Sequence, residues 1–195
     1  VLFLDGQEYH PFNWNDKYDH IGHAVYHMLS IGVDPDSYTL KYTRSLFSDA
    51  QVDAYLKEAI DYIHQSNGVA CATHPFVNYW YEYDYDIVDV ERMQSLVETD
   101  VEKYWLSGRR IGILNAVDLF GTRKMYDNPA VNFIYLNGER PCRDSVVKAL
   151  RAGHTIAAAG FDQADIMLNN HIPGNAVSLT EATAGTLRIS AKLRE

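Results

Sequence analysis

The chain has 195 residues, 47% of them hydrophobic, with a net charge of -9 and two cysteines. That length fits one domain with a small appendage and a genuine apolar core. The acidic balance excludes a nucleic-acid surface built on broad basic patches. Two cysteines exclude a disulfide framework or a Cys-rich zinc site, and no apolar run approaches the roughly 20 residues of a membrane helix.

The chain opens on Val1 and runs directly into V-L-F-L-D, so sequence upstream of it is expected. Residues 1–4 read as a strand ended by Asp5-Gly6, and 13–19 as a polar, aromatic loop. Residues 22–30 read as a second strand with His23 and His27 on one face, since side chains alternate at period two. Asp34-Pro35-Asp36 is turn chemistry. Ser48 with Gln51 forms a capping box ahead of the clearest helix. On that helix Val52, Tyr55, Leu56, Ala59, Ile60 and Ile63 fall on one face, and Gly68 is its natural stop.

Next comes N-G-V-A-C-A-T-H-P-F, residues 67–76. Its short apolar run 69–73 reads as a buried strand that delivers His74 at its end, with Cys71 packed as a small hydrophobe. The aromatic and acidic run that follows reads as a loop packed over the core or as a pocket wall. Residues 87–90 read as a strand and 99–107 as a helix with Val101, Tyr104 and Trp105 on one side. Residues 111–119 read as a strand with Asp118 near its end, and 131–136 as another. A helix at 144–152 is closed by Gly153, with Pro141 near its first turn. Residues 155–159, 164–168 and 186–193 read as strands with turns between them. The pattern divides the chain into an α/β portion, 1–153, and a β-rich extension, 154–195.

Chemistry concentrates at strand ends, where sites gather in α/β folds. Glu8, His23, His74 and Asp118 follow in that order. Nitrogen and carboxylate ligands on alternating β/α units suit zinc, manganese or iron. They converge only if their strands share one sheet or barrel. His74 is also consistent with a polar strand-end histidine bonded to a nearby carbonyl.

The run G-Q-E, then G-H, then A-T-H-P, then a helix, Trp, Gly-Arg and a strand with Asp118 resembles the polymerase and histidinol phosphatase (PHP) superfamily. It is closest to the branch related to the CehA and McbA hydrolases, and D-S-V-V-K-A-L-R-A-G-H-T is similar to that branch too. The similarity runs from Gly6 to about Leu193. It implies a distorted (β/α) barrel of PHP type, incomplete at its N-terminus, with a small C-terminal β extension. It implies a site of divalent transition metals held by Glu8, His23, His74 and Asp118, with Glu8 as bridging carboxylate. Metal-activated water would then hydrolyse a small phosphate ester. Weaker substrate contacts are His10, His20 and Arg123, the arginine by its place in the sequence.

Two departures bear on activity. No His-x-His pair precedes Glu8, and Phe120 stands where the family has its last histidine. Phe cannot bind a metal. A catalytically impaired domain acting as a binding or structural module is therefore the second expectation. A carbamate or amide hydrolase is the third, since such metals also activate water against carbonyls. His64 reads as an exposed helix residue, His154 as a complement to a helix dipole and His171 as a turn residue. An incomplete barrel would leave an open edge, so a homo-oligomer or pairing with an upstream segment is expected.

Overall fold

The computed structural model describes residues 2–9, 28–34, 49–73, 82–89, 101–115, 130–159, 161–177 and 185–193. The strands β1 (Gly6–Tyr9), β2 (Met28–Ile31), β3 (Val69–Ala72), β4 (Ile87–Asp89) and β5 (Gly112–Leu114) form one sheet in that order. β1 and β2 are antiparallel, as are β2 and β3, whereas β3–β4 and β4–β5 are parallel. β1, β3, β4 and β5 therefore share a direction, and β2 opposes it.

This corrects the expected (β/α) barrel. The sheet is open, with β1 at one side and β5 at the other. A barrel of that type needs parallel neighbours all round, and the reversed β2 breaks that pattern. The first strand also differs from expectation. Pairing begins at Gly6, opposite Ile31, rather than within 1–4, and a Cβ at Gly6 would meet the Ser30 carbonyl at 2.5 Å.

Helix α1 (Asp49–Gln65) covers one face of the sheet. Its buried residues Tyr55, Leu56, Ala59, Ile60 and Ile63 follow the spacing read from sequence. They join Tyr9, Met28, Ala70, Ala72 and Val88 in one core. Full burial of a Leu or Ile side chain contributes about 1.5–3 kcal/mol, so this stripe holds the helix down. The short helix α2, residues 101–106, adds Val101 and Tyr104 to the same core. Helix α3 (Arg143–Arg151) covers the opposite face, packing Val146, Val147 and Leu150 on Val69, Cys71, Ile87 and Leu114. β3 is buried along its whole length, as expected of a strand covered on both faces.

The remaining strands form two antiparallel pairs: β6 (Ala130–Ile134) with β7 (Thr155–Ala159), and β8 (Phe161–Leu168) with β9 (Leu187–Leu193). The β6–β7 pair meets the sheet through side chains. Thr155 Oγ1 accepts from the Ile113 N–H at 3.2 Å and donates to the Ile113 carbonyl at 2.9 Å. Asn132 Oδ1 accepts from the Asn115 N–H at 2.8 Å, and its Nδ2 donates to the Asn115 carbonyl at 3.0 Å. Tyr135 ties the two pairs together, donating to Asp165 at 2.6 Å and accepting from the Ile166 N–H at 2.9 Å. No helix among the described residues is long and apolar enough to cross a membrane.

Candidate functional site

Four strands of common direction place their carboxyl ends along one edge of the sheet. Those ends carry Tyr9 on β1, Ala72 and Thr73 on β3, Asp89 on β4, and Leu114 and Asn115 on β5. In open α/β sheets ligands bind outside this edge. Asp89 is the chemically notable residue. It is a carboxylate only 1% exposed, and buried charges are kept where they are paired or coordinate a metal. Thr73, also buried, donates through its hydroxyl to the Cys71 carbonyl at 3.4 Å. Asn115 Nδ2 donates to the Ala158 carbonyl at 3.3 Å, which anchors β7 at this edge. Burial, then the charges of Asp89 and Asp86, push the Cys71 thiol well above its ordinary range, so it stays a neutral hydrophobe.

Of the residues expected to bind metal, Glu8 lies on β1, exposed, opposite Leu29. Three strand spacings separate β1 from β4, about 14 Å at about 4.8 Å each, so Glu8 and Asp89 do not share an ion. His23, His74 and Asp118 lie outside the described residues, as do His10, His20, Arg123 and Phe120. Among the described residues no group of three or more His, Cys, Asp or Glu side chains could hold a metal ion.

Asp89 was not singled out from the sequence. In D-I-V-D, Asp89 fell inside the expected strand 87–90 and Asp86 at the end of the acidic, aromatic run before it, and nothing in residue type set one above the other. Strand direction is what separates them: Asp86 comes before β4 at the amino edge, and Asp89 closes β4 at the carboxyl edge.

The amino edge holds a different cluster. Asp86 Oδ2 lies 2.9 Å from His64 Nε2 and accepts from the Ala70 N–H at 2.9 Å. Its other oxygen is 3.6 Å from Arg151 Nε. His64 is thus half-buried and paired, not the exposed helix residue expected. The hydrogen bond to Asp86 raises its pKa, against the opposing effect of burial. The cluster joins the ends of α1 and α3 to the starts of β3 and β4, a bracing role.

Beside the amino end of β5 lies an open cleft of about 320 Å³. Trp105, Arg109 and Arg110 line it, with Gly112, Gly153 and Gly174 among the other residues. The expected helix 99–107 put Trp105 on one side with Val101 and Tyr104. Those two are buried, but Trp105 is 53% exposed and is among the residues lining the cleft.

No family model, curated protein or solved structure matches this chain.

Proposed function

We propose that the chain is a metal-dependent hydrolase acting on a small phosphate ester, with its ion at the carboxyl edge of β3, β4 and β5. One observation carries this: three adjacent parallel strands with a buried carboxylate, Asp89, ending the middle one. His74 is the residue after Thr73, and Asp118 comes three residues after Asn115. Neighbouring strands lie about 4.8 Å apart, and three residues of chain span at most about 10 Å. An imidazole and two carboxylates therefore follow from consecutive strands, a donor set suited to zinc, manganese or iron. Glu8 is too distant to join Asp89 on one ion and is not needed for it. A bound divalent metal would activate water and polarise a phosphoryl oxygen. Asp89, His74 and Asp118 would hold it, and Thr73 would orient its neighbours at the edge.

The test is metal binding by the purified chain, by mass spectrometry and titration, with hydrolysis of bis(4-nitrophenyl) phosphate as activity. Asp89→Asn and His74→Ala should each weaken metal binding by at least about tenfold, since each removes a ligand, and should abolish hydrolysis. Circular dichroism verifies that the variants fold. Failure of the wild-type chain to bind zinc, manganese or iron at micromolar concentration overturns the proposal.

A second function is favoured by Phe120, which stands where the resembled family has a metal-binding histidine. A metal-holding but non-catalytic binding module would retain the ion and hydrolyse nothing. Hydrolysis that His74→Ala abolishes excludes it.

A further inference from the structure

The cleft at the amino end of β5 has a floor made of backbone. Gly112, Gly153 and Gly174 bring three segments together there. A Cβ on Gly112 would lie 3.2 Å from the Gly153 Cα, and one on Gly174 would lie 2.1 Å from the Ala152 carbonyl oxygen. Gly153 and Gly174 also have φ of +69° and +83°, which disfavours any side chain at either position. The cleft is thus lined in part by close-packed backbone, beside Ile111, Ile113 and Pro173, and a Cβ at Gly112 or Gly174 would crowd its neighbours.

The two arginines at this cleft differ in their commitments. Arg109 donates to the Tyr83 carbonyl, pairs with Asp84 at 3.2 Å and lies 4.0 Å over the Tyr104 ring. Arg110 is exposed and has no ion pair or hydrogen bond among the described residues. One guanidinium is committed to contacts within the fold while its sequence neighbour is exposed at the cleft. Trp105, 53% exposed, lines the same space.

We propose that this cleft binds a small aryl anion. The ring lies between the Trp105 indole and the glycine floor, and the anionic group is met by Arg110. Aromatic stacking supplies a sequence-independent platform for a flat ring, and guanidinium recognises carboxylate and phosphate alike through paired donors. A volume of about 320 Å³ is at the small end for ligand sites, which excludes a dinucleotide or a long peptide. The cleft lies beyond the amino end of β5, whereas Asp89 and the proposed ion lie at the carboxyl edge, so the two sites are separate.

Ligand-observed NMR and tryptophan fluorescence with the full chain test this, using benzoate and phenylphosphonate as anionic probes. Benzyl alcohol supplies a ring without charge, and inorganic phosphate supplies charge without a ring. At least one anionic aryl probe should saturate a single site, at least about tenfold more tightly than either control. Arg110→Gln should remove that preference while leaving benzyl alcohol unchanged. Trp105→Ala should weaken both aryl probes. Both side chains are exposed, so neither variant disturbs the core. Binding should persist in EDTA, which separates it from the metal-dependent function. No saturation by benzoate or phenylphosphonate at millimolar concentration overturns the proposal. So does an affinity that Arg110→Gln leaves unchanged, or inorganic phosphate binding as tightly as the aryl anions.

Discussion

Asn67 and Gly68 divide between them a task that a single glycine often performs. Asn67 takes the left-handed conformation at φ +52°, while Gly68 donates to the Ile63 carbonyl at 2.8 Å and Asn67 to the His64 carbonyl at 3.0 Å. That is the Schellman pattern, with asparagine at the left-handed position. Gly68 is needed for another reason: a Cβ there would lie 2.2 Å from Val33 Cγ2. The expected stop falls at the right place but acts by packing rather than by backbone freedom. The two cysteines differ just as sharply. Cys71 is buried and held neutral, while Cys142 is exposed, with its thiol pKa lowered chiefly by the Ser145 hydroxyl. Thiolate is the reactive species, so iodoacetamide should modify Cys142 in the folded chain and spare Cys71 until denaturant is added. Peptide mass mapping checks this. His64 gives a pH dependence of defined sign. A group that binds its proton more tightly when folded stabilises the fold fully below its unfolded pKa of 6.5, and that contribution is lost as pH rises through the higher folded value. Urea-unfolding stability should therefore decline above about pH 6.5, and His64→Gln should flatten that decline.

The helices show how much periodicity reveals. The stripe on α1 was legible, because a buried helical face repeats within a few residues, and α3 was legible as a segment closed by Gly153. Apart from β1, which was expected within 1–4 and lies at Gly6–Tyr9, the strands were legible as segments but not as neighbours. Runs of three to five residues such as Gly112–Leu114 and Ala130–Ile134 carry no mark of direction, so the reversal at β2 was hidden and with it the open sheet. The seam between β5 and β7 was hidden for a related reason. One hydroxyl there serves both the N–H and the carbonyl of Ile113. Nothing about T-I-A-A-A distinguishes such a threonine from an ordinary strand residue. Thr155→Val keeps the shape and removes both bonds, so it should cost about 1–3 kcal/mol in urea denaturation, the penalty for leaving buried backbone groups unsatisfied.

At the scale of the molecule, the two edges of the sheet do different work. The amino edge is cross-braced. Arg143, at the start of α3, donates through Nε and Nη2 to the Gly32 carbonyl at 3.0 and 2.6 Å. It also reaches the Ser66 and Asn67 carbonyls at 3.3 and 3.1 Å. One side chain thereby ties α3 to the end of β2 and the end of α1, three segments far apart in sequence. Arg143→Met should lower unfolding free energy by about 1.5–3 kcal/mol, as expected for hydrogen bonds from a charged donor, without changing far-ultraviolet circular dichroism. The carboxyl edge is where the metal-site proposal places its ion. His74 and Asp118 stood out by residue type and position after apolar runs. Asp89 needed the strand order to be noticed.

The side-chain seam along β5 also sets a timetable for solvent. An amide held by a ladder inside a covered sheet is released only when the sheet itself opens, whereas one held by a hydroxyl or a carboxamide is released by a single rotamer change. Deuterium should thus enter at Ile113 and Asn115 well before it reaches Cys71 or Val88, and the β6–β7 pair should part from the sheet as a unit while the five strands stay closed.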